Sequence, residues 1–225
     1  MRTDAKAPIL WRNKGLLRLL APPPRVHDID GILDAAESLA AAAGPSAVTI
    51  RAVATAGGVS NGAIYHTFGC RAELLARTWL RAARRFLATQ QALVDDSLSP
   101  RDAVVAAAEA PAVFAEQYPQ SSSVLLAMRR EELIGENIRR ELASEVAATQ
   151  TELVELMVML ATAVWDRKDA AAVDVVTTCI VDLPTSILLQ RNRIHNPTAI
   201  EHLRAAVLAV LDVGPAPVKQ KRRPR

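Results

Sequence analysis

The stretch from Thr49 to Phe68, TIRAVATAGGVSNGAIYHTF, narrows the possible folds more than any other part of the chain. Thr49 suits an N-cap, because its hydroxyl can accept a hydrogen bond from a free amide of the first helical turn. The helix it opens carries Val53 and Ala54 on one side. Gly57 and Gly58 stop that helix, since a residue without a Cβ adopts the left-handed conformation at little cost. Val59 follows as an apolar plug. Ser60 then caps a second short helix whose Ile64 and Phe68 share one face. Two short helices, a glycine turn and an apolar plug describe a helix-turn-helix, in which the second helix enters the DNA major groove.

At these residues the chain resembles the tetracycline-repressor (TetR) family of one-component transcriptional regulators. The family pattern is a Thr-led helix, an Ala-Gly-Val-Ser turn, and a recognition helix ending Tyr-x-His/Tyr-Phe, with a Lys shortly after. Here the turn is Gly57-Gly58-Val59-Ser60, the helix ends Tyr65-His66-Thr67-Phe68, and Arg71 stands at the Lys position. Upstream, ILDAAESLAAAAG (residues 32–44) is similar to the family's first helix, so the resemblance covers roughly residues 26–85. The sequence departs from the pattern at Gly57 for Ala, Thr67 for His or Tyr, and Arg71 for Lys.

The resemblance implies roles for these side chains. Thr49, Arg51, Tyr65, Thr67 and Arg71 are expected at the sugar-phosphate backbone, with Ser60 at the head of the reading helix. Asn61, Gly62, Ala63 and His66 are expected nearest the base edges. The chemistry agrees: hydroxyls, guanidiniums and helix N-termini bind phosphate, and the exposed edge of a recognition helix meets the groove floor. The resemblance further implies double-stranded DNA as partner and a small organic effector held within about residues 100–190. It also implies a homodimer formed by the last two long helices, 169–190 and 197–212. Two reading heads about 34–36 Å apart would fit successive major grooves of a palindrome. Leu183, Ile187, Leu188, Val207 and Val210 supply apolar faces for such an interface; closing the monomer core is the alternative. Phe114, Met128, Met157, Trp165, Thr178 and Asp182 are the candidate effector-lining groups.

Half of the 225 residues are apolar and only 4% aromatic, with scarce strand-like alternation, so an all-α protein is expected. The net charge of +3 conceals a division: residues 1–25 hold six Lys/Arg against one Asp, and residues 213–225 hold five against none. The body between them is therefore acidic, and the basic ends can attract DNA without reading it. The expected organisation is a basic flexible extension (1–25), a helix-turn-helix domain (26–85), an effector-binding and dimerisation domain (86–212) and a disordered basic tail (213–225). The extension ends in Ala21-Pro22-Pro23-Pro24, a stiff spacer; it is either an arm for DNA or a segment with no role.

Within the body, Asp28 or Asp30 is expected to cap a first helix, with Asp34 and Glu37 outward. A helix from Cys70 or Arg71 to about Gln91 carries Arg77, Arg81, Arg84 and Arg85 as a solvated stripe with Glu73–Arg77 pairing. Pro111 is expected to kink or split the next helix, and Ser121–Ser123 to serve as caps. A long helix follows from about Glu136 to Trp165, then one with Pro184 inside it, then a last helix begun by Asn196-Pro197.

Cys70 and Cys179 form no metal-ligand or redox spacing, which suits a reducing cytoplasm. His27, His66, His195 and His202 match no zinc-hydrolase spacing, and no phosphate loop appears, so no catalytic residue, metal or cofactor is expected. No apolar run approaches bilayer-spanning length, and no membrane partner is expected. A ligand-responsive repressor is the leading reading; an architectural DNA-binding protein using its basic tails, or a helical enzyme, are the alternatives.

Overall fold

The first helix, α1 (Ile29–Ala43), turns Ile32, Leu33, Ala36 and Ala40 to one side and buries them. The structure, a computed structural model, describes residues 29–134 and 137–217, so Asp28 and the 1–25 extension lie outside it. Asp30 sits in the first turn of α1 rather than capping it. A short 3-10 turn, Pro45–Ala47, leads to α2 (Ile50–Ala56) and α3 (Asn61–Phe68). Both expected caps form: Thr49 Oγ1 accepts from the Ala52 amide at 3.1 Å, and Ser60 Oγ from the Ala63 amide at 3.1 Å. Gly58, with φ +64°, makes the left-handed step between the helices, while Gly57 stays right-handed. Val48, Val53, Ile64 and Phe68 are fully buried beneath them.

Helix α4 (Arg71–Asp95) is 25 residues long, which at 1.5 Å per residue is about 37 Å. It runs from the three-helix unit into the rest of the body. There follow α5 (Pro100–Gln117), α6 (Pro119–Ala127), the short α7 (Arg130–Leu133) and α8 (Arg140–Trp165). Expected from about Glu136, α8 begins later; Glu136 itself lies outside the described residues. Next comes α9 (Ala170–Leu189), then α10 (Pro197–Val213), whose Asn196 cap accepts from the Ala199 amide at 3.0 Å.

Pro111 neither splits nor ends α5. A proline there denies the Ala107 carbonyl its helical donor. The side chain of Gln90, buried in α4, supplies a replacement: its Nε2 donates to Ala107 O at 2.9 Å. Gln90→Leu should therefore destabilise the protein by about 1 kcal/mol. In a Pro111→Ala background, where the backbone donor returns, the same change should cost nearly nothing. Urea titrations of the four proteins measure this coupling; equal costs in both backgrounds would refute the substitution of one donor for the other. Around Pro184 the chain adapts differently. Wider turns, Thr178–Asp182 and Thr185–Leu189, bond five residues back, as in Leu183 N to Thr178 O and Gln190 N to Thr185 O at 2.9 Å.

Two apolar cores result. One joins α1–α3 and the first part of α4 to Val124 and Met128 of the α6 end and to Leu142 and Val146 of α8. The other gathers Val94, α5, the C-terminal half of α8, α9 and α10. A boundary at residue 85 thus crosses α4 without matching the packing. The expected tail also starts too early: Val213 completes α10, and Ala216 O accepts from Arg167 Nη1 at 2.9 Å. Residues 218–225 lie outside the described residues. Contrary to expectation, Arg140–Trp165 and Ala170–Leu189 are both long and apolar enough to cross a membrane by length and composition alone. Both contribute buried residues to the second core.

Candidate nucleic-acid interface

Helix α3 divides its residues by face. Ile64 and Phe68 anchor it, while Asn61, Gly62, Tyr65 and His66 point outward, with Tyr65 55% exposed. Residues three and four apart share a helix face, so these four form one continuous edge. Thr49, Arg51 and Ser60 are exposed at the flank. This edge is polar, has small Gly62 in its middle, and is free to approach another surface.

Three expected site residues differ. Ala63, expected beside the base edges, is only 8% exposed, because it lies on the anchored side of α3. Thr67 is half-buried, and its hydroxyl donates back to Ala63 O at 2.9 Å. The Arg71 guanidinium donates to Val48 O and Pro45 O, both at 2.6 Å. It staples the turn before α2 to the start of α4, a two-point hold that suits the forked guanidinium better than an ammonium.

The arginine stripe of α4 is a set of ties rather than a solvated face. Glu37 of α1, expected outward, is 2% exposed. Its carboxylate accepts from Arg81 Nε at 3.0 Å, from Arg85 Nη1 at 3.1 Å, and from the Ser121 hydroxyl of α6 at 3.0 Å. Arg81 also reaches Asp34 at 2.8 Å, and Arg84 pairs with Glu145 of α8 at 2.9 Å. Ser121 is thus a bridge and not a cap.

Glu73 does not take Arg77 as its hydrogen-bond partner; Arg77 Nε is buried with no such partner among the described residues. Instead Arg139, just before α8, gives Glu73 a forked contact, Nε to Oε1 at 2.8 Å and Nη2 to Oε2 at 2.7 Å. Its amide adds a bond to Oε1 at 3.1 Å. Neither partner signals the other in sequence, since 66 residues separate them.

The Arg139 hydrogen bonds hold the Glu73 carboxyl below its usual value of 4.5, against the opposing effect of burial. A depressed carboxyl contributes stability above its unfolded value and loses it as pH falls through the folded one. The melting-temperature gap between wild type and Glu73→Gln should be full above about pH 4.5 and close in more acid solution. A gap that stays constant down to strong acid would contradict this assignment.

The six expected effector-lining residues do not converge. Phe114 packs edge-on to Phe86 at 5.5 Å, Met157 lies in the second core, and Trp165 packs near Gly214. Thr178 is half-buried and Asp182 exposed. Of the six, Met128 borders a cavity of about 370 Å³, together with Trp79, Phe86, Leu87, Leu125, Arg129, Arg130, Thr149 and Leu153. Trp79 and Phe86 lie on α4, and the cavity forms where α6, α7 and α8 close over them.

A helix-turn-helix with an exposed polar edge is thus carried on a long helix into an all-helical second half. Residues 32–78 match the family described as bacterial regulatory proteins, tetR family. No curated protein matches by sequence. Among solved structures, the TetR-family regulator PfmR of Thermus thermophilus superposes with a TM-score of 0.61 at 20% identity, over 80% of this chain and 97% of that one. FadR of Bacillus subtilis, solved with stearoyl-CoA, gives 0.59 at 15% identity over 81% and 96%. The ketosteroid regulator KstR2 of Mycobacterium tuberculosis gives 0.58 at 18% over 84% and 95%. These likenesses extend the shared fold across both halves of the chain.

Proposed function

We propose that the chain is a cytoplasmic repressor that binds a palindromic operator as a homodimer and leaves it when a small organic molecule binds. The observation that carries this reading is the exposed Asn61-Gly62-Tyr65-His66 edge, backed by fully buried Ile64 and Phe68. One such head touches few base pairs, so two are needed for specificity. The partner faces on α9 and α10 are narrower than the sequence suggests. Leu188 and Val207 are fully buried in the chain's own core, leaving half-buried Leu183, Ile187 and Val210 with exposed Leu208 as apolar surface.

Ligand response has a mechanical basis. Met128, at the C-terminal end of α6, borders the cavity, and its carbonyl accepts from Trp79 Nε1 at 3.2 Å. Ser121, near the other end of α6, grips Glu37 of α1. A ligand that displaces Met128 would move α6 and so shift the reading unit. Driving a 1:99 balance to 99:1 requires a preference of about 5.5 kcal/mol for the shifted state. The regulators FadR and KstR2, one solved with stearoyl-CoA and the other described for ketosteroids, support an organic effector.

The test is selection of bound fragments from the source genome, with the mass of the protein–DNA complex measured. Two half-sites centred about one helical turn apart, holding two chains, are expected. Fragments with no shared sequence, or one chain per site, would overturn the reading.

A further inference from the structure

The cavity over Trp79 has a marked asymmetry of lining. Its floor and sides are apolar, from Trp79, Phe86, Leu87, Leu125, Met128 and Leu153. Its charged groups, Arg129, Arg130 and Glu131, all belong to the α7 segment and form its rim, and Thr149 and Gln150 of α8 are the other polar lining groups. Arg130 is committed: it donates to Gln150 Oε1 at 2.6 Å and to Glu131 Oε1 at 2.8 Å. Glu131 is occupied in turn: its own backbone amide first, and then the Arg130 hydrogen bond, hold its carboxyl below the usual range. Arg129 is exposed, and its side chain makes no hydrogen bond or ion pair among the described residues, its carbonyl accepting from the Glu132 amide at 3.2 Å. The Trp79 N–H is consumed by Met128 O, so the floor offers no free indole donor.

Two guanidiniums against one carboxylate leave the rim with an unneutralised positive charge. A volume of about 370 Å³ lies in the usual range for small-molecule pockets. From this lining we infer that the cavity takes an amphiphile with a compact apolar body and one anionic group, its body over Trp79 and its anion on Arg129. A neutral apolar molecule would leave Arg129 in water and gain only the apolar contact. A cationic one would be repelled by the rim. The inference rests on the ligand-responsive reading and adds the chemical class of ligand to it.

Decanoate, decanol and decyltrimethylammonium, each below its micelle threshold, probe this with one chain and three head groups. The full-length Trp11→Phe, Trp165→Phe variant leaves Trp79 as the sole indole. Decanoate should change Trp79 emission saturably and bind about tenfold more tightly than decanol, the scale of one hydrogen bond to a charged group. Arg129→Gln should abolish that preference while leaving decanol binding unchanged. The Arg129 side chain is exposed and makes no hydrogen bond among the described residues, so folding should survive the change. Equal binding of decanoate and decanol, preference for the cation, or no response from Trp79 would each overturn the inference. DNA binding without any amphiphile is measured in parallel. A protein that selects an operator but ignores all three probes loses this pocket chemistry alone. One that binds decanoate yet treats all duplexes alike loses the regulator reading.

Discussion

Glu37→Ala is expected to destabilise the protein by about 2–3 kcal/mol, enough to lower its melting temperature by several degrees. The carboxylate is 2% exposed and takes donors from three side chains on two other helices, Arg81, Arg85 and Ser121. Removing one partner of a buried pair generally costs about 3–5 kcal/mol, because the other charge is stranded. Two features lower the figure here. Arg81 retains Asp34 at 2.8 Å, and the Arg85 side chain is 34% exposed and can turn to water. Glu37→Gln should cost less, since the amide oxygen still accepts while the added amide protons face the guanidiniums. Ser121→Ala, which removes a neutral donor, should cost least, about 1 kcal/mol. Thermal unfolding of the three variants gives the ranking. A Glu37→Ala protein as stable as wild type would show that the buried network holds nothing together.

The second large effect is on DNA. Tyr65→Ala should weaken binding to the selected operator by about tenfold, the scale of one lost hydrogen bond to a phosphate charge. Tyr65 is 55% exposed on the edge opposite Ile64 and Phe68, so stability should change by no more than about 0.5 kcal/mol. Operator titration paired with thermal unfolding separates the two effects. Arg71→Ala is the instructive contrast. It frees the Val48 and Pro45 carbonyls, so any loss of binding should come with a loss of stability. Unchanged operator affinity in Tyr65→Ala would mean that α3 meets DNA by another edge, or not at all.

The all-α class, the short helices at Thr49–Phe68 and their caps were legible because they depend on local signals. A hydroxyl before a helix, a glycine at a left-handed turn and an apolar residue every third or fourth place each act within a few residues. What the sequence hid depends on contacts between distant segments. Glu37 reads as a surface acid on α1 until α4 and α6 bring two arginines and a serine to it. Arg139 and Glu73 are unremarkable apart and become a forked pair only when α8 crosses the start of α4. Pro111 reads as a breaker unless Gln90 is known to lie beside Ala107. Ala63 and Thr67 mislead for a subtler reason: in a helix as short as α3, motif position alone does not tell an outward from an inward neighbour. The cavity could not be read at all, since its walls come from four helices.

The division of the first core bears on anyone hoping to transplant this reading head. Val124, Met128, Leu142 and Val146 complete the packing around α1–α4. A hybrid spliced at residue 85 would leave those four side chains behind and inherit a head with one wall missing. Its donor fragment would have to carry α6 and the front of α8, or its new host would have to supply matching bulk, before any change of operator preference could be credited to the grafted helix.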